Sequence, residues 1–149
     1  MTLKALHSPY GEKNPYQRLM FEGLDANDVE AIAVGGGLWE LVPTLFKSNA
    51  DVLHLHWIHG SATYEKGLGA AVRLLAFHAA IVVWLLRRKK LVWTVHNLVN
   101  HEVKRVWLDR LNARLVAREA HHVLVHGESV IPIVQDELRI KREKIHVIH

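Results

Sequence analysis

The sequence predicts an α/β protein built on a parallel sheet. Three observations carry that prediction. Short runs rich in β-branched and aromatic residues alternate along the chain with longer segments of helical apolar spacing, the pattern of strand–helix–strand units joined by right-handed crossovers. Four strand candidates run straight into polar residues: His7 to Tyr16, His54 to Gly60, His96 to Glu102 and His126 to Ser129. In a parallel sheet such tails all leave from one edge, the edge where open α/β sheets bind ligands. Finally, 149 residues, 50% of them hydrophobic, suffice for one domain with a full core. Together these describe a Rossmann-like sheet with helices on both faces.

Taken in order, Leu3 to His7 is the first strand, and Pro9, Gly11 and Pro15 punctuate the loop after it. Asn14 followed by Pro15 is a helix-start signal, asparagine as N-cap and proline in the first turn. Leu19, Met20 and Leu24 give that helix an apolar face. Val29 to Val34 is the second strand, ended by Gly35-Gly36-Gly37. The triple glycine lacks the spacing of a phosphate-binding fingerprint and reads as a flexible turn. Leu38 to Phe46 is a short helix weakened by Pro43. Asp51 to Trp57 is the third strand. His54 and His56 share one of its faces, the spacing of two ligands to one metal. With no cysteine in the chain and carboxylates remote in sequence, no metal is expected.

Tyr64 to Arg88 reads as the long helix, with an apolar face at Leu68, Val72, Leu75, Ala76, Ala79, Val82, Val83 and Leu86. From Leu74 to Leu86 it is apolar almost all round, broken by His78, and it ends in Arg87-Arg88-Lys89-Lys90. That run is shorter than the roughly 20 apolar residues that span a bilayer. Burial is the plain expectation. The sharper one is contact with an anionic membrane surface through Arg87, Arg88, Lys89 and Lys90. Leu91 to Val95 is the fourth strand, and Val103 to Ala120 a helix with apolar positions at Val106, Trp107, Leu111, Leu115 and Val116. Arg105, Arg110, Arg114 and Arg118 line one flank of it. His122 to His126 is the fifth strand. Ser129 is placed to cap a helix from Val130 to Leu138, with Pro132 in its first turn. A basic connector, Arg139 to Lys144, leads into a sixth strand, Ile145 to Ile148.

The tail of the fourth strand is the densest in chemistry, crowding His96, Asn97, Asn100, His101 and Glu102 together. No Ser-His-Asp arrangement is recognisable, so hydrogen bonding and charge stabilisation, rather than a covalent nucleophile, are the chemistry on offer. The net charge of +4, with 12 histidines uncounted, suits an anionic partner. Nucleic acid is not expected, because the basic residues are scattered and no nucleic-acid motif is present. The N-terminus lacks the apolar run of a signal peptide, and the lack of cysteine fits a cytoplasmic setting.

Several pieces, in this order, resemble a known family: Asn14-Pro-Tyr-Gln-Arg18, Asp51-Val-Leu-His-Leu-His-Trp57, Trp93-Thr-Val-His-Asn-Leu98 with His101-Glu102, Val123-Leu-Val-His-Gly-Glu-Ser129, and Lys144-Ile-His-Val-Ile-His149. They resemble the N-terminal half of retaining GT-B glycosyltransferases of the glycogen-synthase and mannosyltransferase-like superfamily, bacterial exopolysaccharide enzymes above all. The resemblance implies that residues 1–149 are a single acceptor-side domain, one half of a GT-B fold, with the nucleotide-sugar domain lying elsewhere. It implies that His96 is catalytic, beside the transferred sugar, and that Gly11 lets backbone N–H groups approach the donor's phosphates. Tyr16, Gln17 and Arg18 are then expected near the acceptor or the diphosphate, with His56, Asn97 and Glu102 as further substrate contacts.

On this resemblance the expected donor is a nucleotide-diphosphate sugar, with no covalently bound cofactor and no metal expected. The partners are a glycan acceptor, lipid-linked in the membrane version of this reading, and a C-terminal domain or separate subunit. The expected place is the cytoplasm, peripheral at the inner face of the cell membrane. Without the paired-glutamate motif of the donor half, the isolated chain is expected to be inactive. A non-catalytic module binding an anion or a partner chain is the alternative from another class, and a histidine-based metallohydrolase is a third.

Overall fold

A computed structural model describes residues 2–59, 68–97 and 106–148. Strand β1 (Leu3–Ser8) is followed by α1 (Pro15–Asp25), β2 (Val29–Ala33), α2 (Leu38–Lys47) and β3 (Val52–Leu55). Helix α3 (Leu68–Leu86), β4 (Lys90–Thr94), α4 (Val106–Glu119), β5 (His122–Val125), α5 (Ile131–Leu138) and β6 (Ile145–Val147) complete the chain. The six strands form one all-parallel sheet in the order β2-β1-β3-β4-β5-β6. The fold is α/β and Rossmann-like.

Strand order decides how the helices are shared between the faces. The connections from β2 onward all step in one direction along the sheet, whereas β1 to β2 steps in the other. Right-handed crossovers therefore put α2, α3, α4 and α5 on one face and α1 on the opposite one. The register agrees. Leu6, Leu53 and Leu91 are partners in successive strands and are fully buried, as are Trp93, Val123 and Ile145 in the next row. On the other face the row His7, His54, Val92, His122 runs from buried under α1 to exposed beyond it.

Local signals explain most element ends. Asn14 caps α1 as its spacing predicts, accepting from the Tyr16 N–H at 3.1 Å, with Pro15 in the first turn. The triple glycine is a turn whose N–H at Gly35 donates to Glu40 Oε1 at 2.9 Å. Glu40, from the first turn of α2, thereby occupies the place a phosphate would need. Pro43 lies inside α2 without ending it. Ser129 does not cap α5: it sits in a 3-10 turn, Glu128–Val130, and the N-cap position has no side-chain bond. The extra turn displaces the serine from the position its sequence spacing suggested.

Two helices turn a different face inward than periodicity suggests. In α3 the buried side chains are Ala70, Leu74, Phe77, Ala80, Ile81 and Trp84, while Val72, Leu75, Val82 and Leu86 are exposed. A helix apolar all round carries no periodic signal to choose its inner face. In α4, Trp107 and Leu111 are exposed, whereas Leu108, Asp109, Asn112 and Val116 are buried. His78 shows why polar groups go inward here: it bonds Asn112 Oδ1 at 3.1 Å and Glu119 Oε2 at 2.9 Å, joining α3 to α4. In α1, Leu19 is likewise exposed and Gln17 is buried.

Candidate functional site

The carboxyl edge of the sheet gathers imidazoles from four strands. His7 is the next-to-last residue of β1, His54 and His56 come from β3 and its tail, His96 follows β4, and His126 follows β5. Their ring nitrogens form a continuous row. His7 Nδ1 lies 3.3 Å from His56 Nε2, His56 Nδ1 lies 3.4 Å from His96 Nε2, and His96 Nδ1 lies 3.3 Å from His126 Nε2. His54 branches off the row, its Nε2 paired with Thr94 Oγ1 at 2.7 Å. The row runs from His7, at 1% exposure, to the exposed His126.

Burial sets the charge of this cluster. Desolvation lowers His7 to about 4, lowers His56 to about 3, and takes His54 well below the ordinary imidazole value. In His54 and His56 the neighbouring imidazoles add to the lowering, since a second cation beside the first is disfavoured. His96 is lowered to about 4, by burial first and His126 second. Burial thus favours the neutral form of His7, His54, His56 and His96, and a neutral imidazole has one N–H donor and one acceptor nitrogen.

His96 is the half-open member of the set. The Trp57 ring stacks on it at 4.3 Å and 15°, and Tyr16 meets it edge-on at 5.1 Å. It therefore offers imidazole nitrogens beside an aromatic platform. His56 is buried behind it and holds the Trp93 indole N–H through its carbonyl oxygen at 3.1 Å.

The other predicted residues fall in varied places. Gln17 is fully buried, donates to Pro9 O at 2.7 Å and accepts from the Gly11 N–H at 2.7 Å. Both ends of its amide thus hold the first loop in shape, and the Gly11 N–H is already engaged. Replacing the buried Gln17 by alanine should cost about 1–3 kcal/mol in chemical denaturation, because two part-buried backbone groups of the first loop lose their partner. An unchanged midpoint would show that water takes over both bonds. Arg18 is exposed and weakly paired with Glu22 at 3.9 Å. Asn97 is exposed at the end of the described β4 tail, and Glu102, with Asn100, His101 and Arg105, lies outside the described residues.

The four basic residues after α3 divide into two kinds. Arg87 donates to the carbonyls of Leu45, Phe46 and Ser48, and Lys89 to those of Ser48 and Ala50. They cap the C-terminal end of α2, where the helix dipole favours cations. Arg88 and Lys90 are exposed.

Sequence reasoning did not single out His7 or Thr94 as site residues. His7 is far from His54 in sequence and meets it only through the β1–β3 pairing. Its place as the first polar residue at a strand end was the available signal. No known family model matches this chain, and no curated protein sequence does either.

Proposed function

We propose that this chain is the acceptor-side domain of a retaining glycosyltransferase, which moves a sugar from a nucleotide sugar to a glycan acceptor. The observation that carries the reading is the half-open, neutral His96, flanked by Trp57, Tyr16 and His126 at the ligand-binding edge. A sugar ring offers C–H faces to an aromatic plane and hydroxyls to imidazole nitrogens, and this edge supplies both. In the reaction His96 donates a hydrogen bond to a sugar hydroxyl, or to the oxygen where charge builds as the glycosidic bond breaks. The diphosphate and its cations belong to a second α/β domain, on the same chain or a separate subunit. Gln17 acts by shaping the first loop rather than by touching substrate.

A lipid-linked acceptor at the membrane face extends this reading. Trp39, Val72, Leu75, Leu86 and Trp107 lie exposed on α2, α3 and α4, an apolar content well suited to a bilayer surface. Within α3, Gly69–Leu86 is long and apolar enough to cross a membrane by length and composition, and 33% of it is buried in the fold.

A second reading has its own observation. At the opposite edge of the sheet, a groove of about 440 Å³ is lined by Arg114, Arg118, Arg139, Lys141 and Lys144, with Glu143 beside them. That is the natural seat for an anion if the chain is a non-catalytic binding module.

Titration of the isotope-labelled chain with free oligosaccharides, sugar nucleotides and inorganic diphosphate separates the two. The transferase reading expects an oligosaccharide to move the Trp57 and His96 ring resonances, with His96→Ala binding it at least tenfold more weakly. In the assembled enzyme the same variant should lower transfer by about 10²–10³-fold, the usual cost of one stabilising hydrogen bond. Diphosphate perturbing only the basic groove, with every oligosaccharide silent, would favour the binding module instead.

A further inference from the structure

We propose that His7, His54 and His56 form a binding site for a single divalent transition-metal ion of the zinc class. This rests on the geometry of the β1–β3 junction and not on the transferase reading. His7 and His54 are register partners on adjacent parallel strands, so their side chains leave the same face of the sheet. His56, two residues further along, returns to that face. The result is three buried imidazoles whose candidate ligand nitrogens all lie within 4.8 Å of one another. The third ligand that the His54–His56 spacing lacks in sequence thus comes from β1.

The His7–His56 distance suits a tetrahedral ion, and the His54 ligand nitrogen lies within 4.8 Å of both. Two imidazoles bound to one zinc at about 2.0–2.1 Å hold their nitrogens about 3.3–3.4 Å apart, and His7 Nδ1 lies 3.3 Å from His56 Nε2. Two of the three outer nitrogens are placed as metal sites require, because ligand histidines anchor their second nitrogen to a neighbour. His54 Nε2 is held by Thr94 Oγ1 at 2.7 Å, leaving its Nδ1 for the ion, and His56 Nδ1 meets His96 Nε2 at 3.4 Å. His7 Nε2 is buried and has no hydrogen-bond partner among the described residues. Three desolvated imidazoles that pack ring against ring but share a single hydrogen bond, His7 to His56, make a poor core; apolar side chains would fill that space at lower cost. Using their lone pairs on a metal accounts for them.

Ligand chemistry narrows the ion. Imidazole nitrogen alone suits zinc, cobalt, nickel or copper, whereas calcium and magnesium need oxygen donors. Three protein ligands leave a fourth position for water or a substrate oxygen, the pattern of a reactive site rather than a closed structural one. The position is also the place where strand order reverses, between β1 and β3, the crevice where doubly wound sheets bind ligands.

The test uses the full chain without a histidine tag, stripped with chelator and then titrated with Co²⁺ and Zn²⁺. The expected result is one equivalent of Co²⁺ with the intense visible bands of a tetrahedral site, displaced by Zn²⁺. His54→Gln and His56→Gln should each weaken binding at least a hundredfold. The double variant His122→Ala/His146→Ala, which removes the exposed imidazole pair at 2.9 Å, should leave it unchanged. Imidazole ¹⁵N spectra of the unmodified protein guard against variants that do not fold, and the shifted rings should be His7, His54 and His56. Failure of the folded wild type to take up one equivalent overturns the proposal. Shifts confined to His122 and His146 do so equally.

Discussion

Trp93→Ala should remove about 3–5 kcal/mol of unfolding free energy, read from the urea midpoint of wild type and variant. The indole is 1% exposed and lies in the row that pairs Leu55, Trp93, Val123 and Ile145, on the sheet face covered by α2 to α5. Truncating a fully buried aromatic loses its transfer free energy and leaves a cavity that rigid strands on both sides cannot close. A polar loss adds to this, since the Trp93 N–H donates to the carbonyl of His56 at 3.1 Å and no other described donor replaces it. Domains of this kind are stable by roughly 5–15 kcal/mol, so the variant sits near the edge of folding. Trp93→Phe keeps most of the volume and should lose clearly less. A cost for the alanine variant under about 1 kcal/mol would show that the row repacks and that Trp93 does not set the position of His56.

The second large effect is on pH. The folded chain holds His7 at about 4 and His56 at about 3, and His54 goes the same way, while the unfolded chain takes up protons at the ordinary 6.5. Between these values the unfolded state binds more protons than the native one, so stability rises with pH across the window. It is complete above about pH 6.5 and drains away as pH falls toward 4. Each fully shifted group contributes about 1.4 kcal/mol per pH unit. For His7 and His56 together the slope is therefore on the order of 2–3 kcal/mol per unit. Because the rings interact, the titration belongs to the cluster and not to its members singly. Urea melts of metal-free protein at several pH values between 4 and 8 measure the slope. A His7→Phe variant should flatten it. A midpoint that does not move from pH 7 to pH 5 would mean that water reaches these rings and that they are not desolvated.

Much of this architecture is written in local chemistry. The strand runs, the Asn14-Pro15 cap, the order of elements and the gathering of polar strand tails at one edge all follow from residue type and spacing. What sequence conceals is pairing. His7 becomes a neighbour of His54 only because β1 sits beside β3, and nothing in either segment announces that. Helix faces fail for a different reason: α3 is apolar on every side, and α4 buries Asp109 and Asn112 while exposing Trp107. In both, tertiary partners rather than periodicity choose the inner surface. The run Arg87 to Lys90 looks uniform as text, yet the backward reach of Arg87 and Lys89 to the end of α2 splits it in two. Gln17, expected from the resemblance to lie near the acceptor or the diphosphate, is a buried clamp on the first loop.

The unequal covering of the sheet has a kinetic consequence. Among the described residues four helices hold one face closed, while α1 lies over His7 with the Phe21 ring at 4.9 Å. Opening is graded in such a molecule: the element with the least packing lifts often, and the rest opens only with global unfolding. Entry to the inner imidazoles, for proton, ion or solvent, is then expected to depend on the breathing of this eleven-residue helix. Slow entry and slow release would follow together, so the deepest histidines keep what they hold for as long as α1 stays down.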